Sequence, residues 1–236
     1  MSEIVITMND ALSKSRDVDC ARVVIKDDTG VKCSRIVTVE SLIAAFRVAA
    51  VEKVKAITVG EIPFGYYDGQ VAERNGKFGA CMVAVLPSGR QMMKYEDTMY
   101  DVCLPAMVFS FTVDQERIAN TCVFVMADEK PADQSRLYRY PFGNVNMNGS
   151  VCWGGNRLPT VRSLKDLEEA MLLFINSPTN NDYYQGKDYC AHAELSQREL
   201  FEMLKDKEKY PEEYLVSVKE GKRPKVLRDL MPWRKK

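Results

Sequence analysis

The amino-acid sequence predicts an α+β fold, an antiparallel β-meander flanked by helices, with a β-rich N-terminal extension. Three observations predict it. Short runs of β-branched and aromatic residues follow one another between residues 80 and 126, separated by turn residues. Pro87-Ser88-Gly89 joins the first two runs as a hairpin turn would. Beyond residue 160 the apolar positions fall at the spacing of a helix face instead.

In chain order, Ile4 and Ile6, then Val23, Val24 and Ile25, alternate as strands before the turn Asp27-Asp28-Thr29-Gly30. A return strand passes through Ile36 and Val37. Over 39–54, Leu42, Ile43, Phe46, Ala49, Ala50 and Val54 fall at helical spacing. Segment 66–77, rich in Gly and polar residues, reads as loops or a ragged hairpin. Strand-like runs follow at 80–86, 91–95, 104–113 and 118–126. Segment 130–160 carries Pro131, Pro141, Gly143, Gly149, Gly154, Gly155 and Pro159 with no apolar period, and so long a loop usually has a functional reason. Ser163 and Asp166 resemble a capping box ahead of the stripe Leu164, Leu167, Met171, Phe174 and Ile175. Residues 195–205 read as a further helix and 212–218 as a short one. The basic segment 219–236, broken by Pro224 and Pro232, reads as a mobile tail. The expected division is 1–60 as β-rich extension and helix, 61–205 as core, and 206–236 as C-terminal helix and basic tail.

Composition narrows the function. Basic and acidic residues balance at 33 each, so no global field favours nucleic acid or a membrane surface. The opening MSEIVITMND lacks the basic flank and apolar block of a signal peptide, and no run approaches the roughly 18 apolar residues of a membrane span. Seven cysteines are spread along the chain without a CxxC pair, which argues against structural zinc and for free thiols in a reducing, cytoplasmic setting. Cys81, Cys103 and Cys122 lie among apolar neighbours and read as small buried hydrophobes.

Chemistry concentrates in one stretch of the long loop, Phe142-Gly143-Asn144-Val145-Asn146-Met147-Asn148-Gly149-Ser150-Val151-Cys152-Trp153. It sets a carboxamide, Asn144, ahead of a thiol, Cys152, and its glycines permit a tight backbone path. The thiolate is the nucleophilic form of cysteine, and exposure on a loop keeps it available. A nearby amide can donate to a developing oxyanion, a contribution of roughly 3 kcal/mol. Plainer readings exist: Cys152 as a half-buried structural thiol, Asn144 as a turn residue bonding its own backbone. His192, the single histidine, is either an acid–base or orienting group or a surface or helix-capping residue. Asp182, Asp188 and Tyr189 could line the approach of an acceptor amine or simply be solvated. Cys190 with His192 is too sparse a pair for a metal, and Trp153 serves equally as a cover for the thiol or as packing.

The stretch resembles the active-site segment of ubiquitin-conjugating enzymes, in which a His-Pro-Asn tripeptide precedes a turn, a Ser or Thr, an aliphatic residue and the catalytic cysteine. Asn144 stands in the place of the family's asparagine, and Asn148-Gly149-Ser150-Val151 match the approach to Cys152. The chain is most similar to prokaryotic ubiquitin-conjugating family D, a branch that includes proteins of the PRTRC system. Leu137-Tyr138-Arg139-Tyr140-Pro141-Phe142 and Gly149-Ser150-Val151-Cys152-Trp153-Gly154 resemble its central motif, and Leu104-Pro105 with Val108-Phe109 its preceding strand. The similarity covers 104–175. Phe142-Gly143 replaces His-Pro, Thr160 lies near the place of an absent aromatic residue, and Asn180 near that of a histidine described in bacterial members.

The resemblance implies a ubiquitin-conjugating-enzyme-like core. It implies an acyl transferase in which Cys152, with Asn144 and His192, accepts a ubiquitin-like protein as a thioester from a ThiF-like activating enzyme and passes it to an amine. A JAB-type deconjugating protease would belong to the same system. No cofactor is implied, since the activating partner consumes the ATP, and neither nucleic acid nor membrane is an expected partner. Two rivals stand beside this reading: a non-catalytic binding module of the same fold, with Cys152 buried, and a hydrolase pairing Cys152 with His192.

Overall fold

Near-continuous apolar runs, rather than strict alternation, mark strands covered on both faces, and the central sheet is built from them. In the computed structural model, which describes residues 3–8, 19–28, 30–49, 61–184 and 195–234, the chain divides into two units, Met1–Val54 and Lys55–Lys236. The first holds β1 (Glu3–Met8), β2 (Cys20–Asp27) and β3 (Gly30–Thr38) as an antiparallel sheet in that order, followed by α1 (Val39–Ala49). Thr38 caps α1, its hydroxyl accepting the Ser41 N–H at 3.1 Å. The rest of the expected helix, 50–54, lies outside the described residues.

In the second unit, β4 (Tyr66–Arg74), β5 (Lys77–Leu86), β8 (Ala106–Asp114), β9 (Arg117–Met126) and β10 (Tyr138–Arg139) form an antiparallel sheet in the order β10-β9-β8-β5-β4. Between β5 and β8 the chain makes a separate hairpin, β6 (Gly89–Tyr95) with β7 (Thr98–Leu104). Two helices follow, α2 (Leu167–Asn176) and α3 (Gln197–Lys205). Asp166 closes the start of the α2 region by accepting the N–H groups of Arg162 and Ser163 at 2.8 and 2.9 Å. Ser196 and Glu199 form a capping box at α3.

One face of the sheet presents Met82, Phe109, Phe111 and Val123 to a core shared with the hairpin residues Tyr95, Tyr100 and Val102, with Leu167, Met171 and Phe174 of α2, and with Leu200, Phe201 and Leu204 of α3. The other presents Val83, Val108, Phe124 and Met126 to Leu137, Leu227 and Met231.

The α+β class and the antiparallel strands agree with expectation, and four elements differ. Segment 66–77 is largely the strand β4, whose polar composition suits an edge position with one partner, β5. β7 fills part of a segment read as a connection; β6 pairs with it and not with β5, so Pro87-Ser88-Gly89 closes no hairpin between the first two runs, and β5 pairs directly with β8. Residues 212–218 contain a single 3₁₀ turn, Glu212–Tyr214. The tail is docked, since the side chains of Leu227 and Met231 are fully buried beneath the sheet. Cys103 is buried as expected, whereas Cys81 and Cys122 are partly exposed.

Candidate active site

The long loop runs beside β9 after β10 ends. Val123 donates its N–H to Gly149 O at 2.8 Å, and Val151 donates to Thr121 O at 3.0 Å, so 149–151 continue the sheet edge. Val151 also bridges back to Val145, closing a small hairpin within the loop. Asn146 shapes its turn: Oδ1 accepts the N–H groups of Asn148 and Ser150 at 2.8 and 3.1 Å. Gly149 has φ +89°, and a Cβ there would overlap the buried Phe124 ring. No side chain fits under that turn.

Cys152 follows, and it is exposed. Its N–H donates to Asn144 O at 2.8 Å, which holds the two residues side by side. The flanking side chains are pinned. Trp153 packs its ring edge-on to Phe174 of α2 with centroids 6.2 Å apart. At the other end of the loop, Phe142 is fully buried and stacks on Phe201 of α3 at 4.7 Å, with Tyr140 edge-on to it at 5.5 Å. Burial pushes the Tyr140 phenol well above its ordinary range, so that side chain is neutral packing.

Asn144 has φ +69°, a left-handed conformation that asparagine tolerates better than most side chains. Its N–H donates to Asp182 O at 3.1 Å, and its side-chain amide donates to Pro178 O at 2.8 Å. It therefore joins the Cys152 backbone to the loop after α2. Asp182 and Asn180 are on that loop, the Asn180 amide donating to the Asp182 carboxylate at 2.9 Å. The structure thus brings together Cys152, Asn144, Asp182 and Asn180. His192, Asp188, Tyr189 and Cys190 lie outside the described residues. Among the described residues, no group of three or more His, Cys, Asp or Glu side chains is placed to hold a metal ion, and no helix is long and apolar enough to cross a membrane.

Sequence reasoning missed Gln197. Fully buried at the start of α3, it accepts the Gly143 N–H on Oε1 and donates to Asn180 O at 2.8 Å. A polar residue in the first turn of a helix ordinarily faces water, so nothing local marks this one as buried.

The antiparallel sheet with its few helices is compatible with an E2-like fold. The model of prokaryotic E2 family D matches residues 51–218, and the chain belongs to that family. No curated protein and no solved structure matches it.

Proposed function

We propose that this chain carries a ubiquitin-like protein as a thioester on Cys152 and transfers it to an acceptor amine. The observation that supports this most directly is the exposed Cys152 thiol at the end of a loop fixed on both sides, its backbone bonded to Asn144. The Cys152 thiolate attacks the carbonyl of the thioester on a ThiF-like activating enzyme. The new C–S bond forms on Cys152, and the activating enzyme's thiolate leaves. An acceptor amine then attacks the Cys152 thioester, the C–N bond forms, and the C–S bond breaks to return the Cys152 thiolate. The Asn144 amide, one N–H of which is given to Pro178 O, has a second N–H to offer the oxyanion. The exposed Asp182 carboxylate, on the loop that Asn144 is tied to, accepts the amine's proton. Exposure of Cys152 also argues against the non-catalytic module, which requires that thiol to be buried.

The test uses the ThiF-like activating enzyme and ubiquitin-like protein of the same gene neighbourhood, with ATP. The wild-type chain gains an adduct that thiol reductants remove, and Cys152→Ala gains none. An adduct that persists in Cys152→Ala overturns the proposal.

A further inference from the structure

Both ends of the buried Gln197 amide are committed to backbone groups, and the two groups belong to different loops. Oε1 takes the N–H of Gly143, the residue before Asn144, and Nε2 gives to Asn180 O at 2.8 Å. The second loop is the one that receives the Asn144 side chain at Pro178 O and the Asn144 N–H at Asp182 O. One side chain thus clamps the two loops between which Asn144 is held against Cys152. A fully buried amide would be costly if its polar atoms were left without partners, and here both are used.

The clamp also accounts for the residues ahead of Asn144. A proline at 143 has no N–H to give Gln197. Any Cβ at 143 would overlap the Asn180 carbonyl oxygen. Phe142 fills the core instead, stacked on Phe201 one helical turn beyond Gln197. Glycine at 143, phenylalanine at 142 and Gln197 form one device, assembled from two distant parts of the chain.

We propose that Gln197 is the positioning residue of the transfer site, setting the distance between Asn144 and Cys152 through Gly143 without touching the acyl group. This rests on the reading of Cys152 as the thioester-forming residue.

A partner-free assay tests it. The probe is the N-acetylglycylglycine thioester of mercaptoethanesulfonate, with free lysine as acceptor and intact mass as readout. The Cys152 thiolate displaces mercaptoethanesulfonate thiolate to give the acyl-enzyme. Neutral lysine amine then forms the C–N bond, the C–S bond to Cys152 breaks, and the amine's proton passes through the Asp182 carboxylate to solvent. Gln197→Met keeps the side chain's bulk and removes both hydrogen bonds. It is expected to acylate as the wild type does and to discharge at saturating lysine roughly tenfold or more slowly. The lysine concentration giving half the maximal rate stays the same. Backbone amide exchange rises in 141–146 and 178–183 but not in β5, β8 and β9. Gly143→Ala disturbs the same contact from the other side and gives the same pattern, and the double variant is no slower than the slower single one. If Gln197→Met does not fold, Gly143→Ala decides on the same criteria. Discharge at the wild-type rate, or exchange rising throughout the sheet, overturns the positioning role alone. A wild-type chain that takes no acyl group on Cys152 overturns the carrier reading and the positioning role with it.

Discussion

Asn144 and Cys152 are joined backbone to backbone, and the residues around them decide how rigid that pair is. Gly149 sets the turn before Cys152, with φ +89° and the Phe124 ring where a side chain would start. Gly149→Ala must bend the turn or displace a buried ring, and it is predicted to cost roughly 1–3 kcal/mol of stability. A urea unfolding midpoint equal to that of the wild type would contradict this. The thiol's candidacy was legible in the sequence because a Gly-rich stretch with an asparagine and a cysteine at fixed spacing is a local pattern. Gln197 was illegible. Its partners, Gly143 and Asn180, are remote from it in sequence, and only folding brings either amide end to a backbone group.

Among the elements, the C-terminal segment departs most from expectation. Its charge and prolines read as a solvated tail, yet two short strands, β11 (Lys219–Glu220) and β12 (Arg223–Pro224), lead into a 3₁₀ turn at Leu227–Leu230 that puts Leu227 under the sheet. Arg223 grips both oxygens of Asp229 at 2.7 and 2.6 Å, and the Val226 N–H adds a third bond at 2.9 Å. The Arg223 guanidinium, with the Val226 N–H, holds the Asp229 carboxyl down at about 2. An unfolded aspartate titrates near ~3.9, so the folded state favours the ionised form. The resulting stability is present above about pH 4 and is lost as pH falls through the folded value of about 2. Arg223 is more than half exposed, and solvent screening reduces the contribution to about 1 kcal/mol. Asp229→Asn is predicted to lower stability by that amount at pH 7, the difference shrinking between pH 4 and pH 2. Urea unfolding of both chains across that range checks the sign. A pH-independent difference would show that the ion pair is not its source.

For the whole molecule, the two hydrophobic cores are both drawn from Lys55–Lys236, whereas Cys20 and Ala21 are the buried apolar residues among those described in Met1–Val54. Burial of apolar surface is the main favourable contribution to folding. A chain lacking residues 1–54 is therefore predicted to keep one cooperative thermal transition within a few degrees of the main one in the full chain. Calorimetry of both chains decides this, and a truncated chain without a transition would show that the first unit is needed for folding. The sequence by itself determined the strand and helix periods, the cap at Ser163–Asp166, and the asparagine-to-cysteine spacing. Each depends on residues within a few turns of one another. Tertiary structure alone decided that β5 skips the β6–β7 hairpin to pair with β8, that a basic tail covers the sheet's second face, and that Gln197 ties Asn144 to its neighbouring loop. Those outcomes depend on burial and hydrogen bonding between distant segments, and the folded chain satisfies them together.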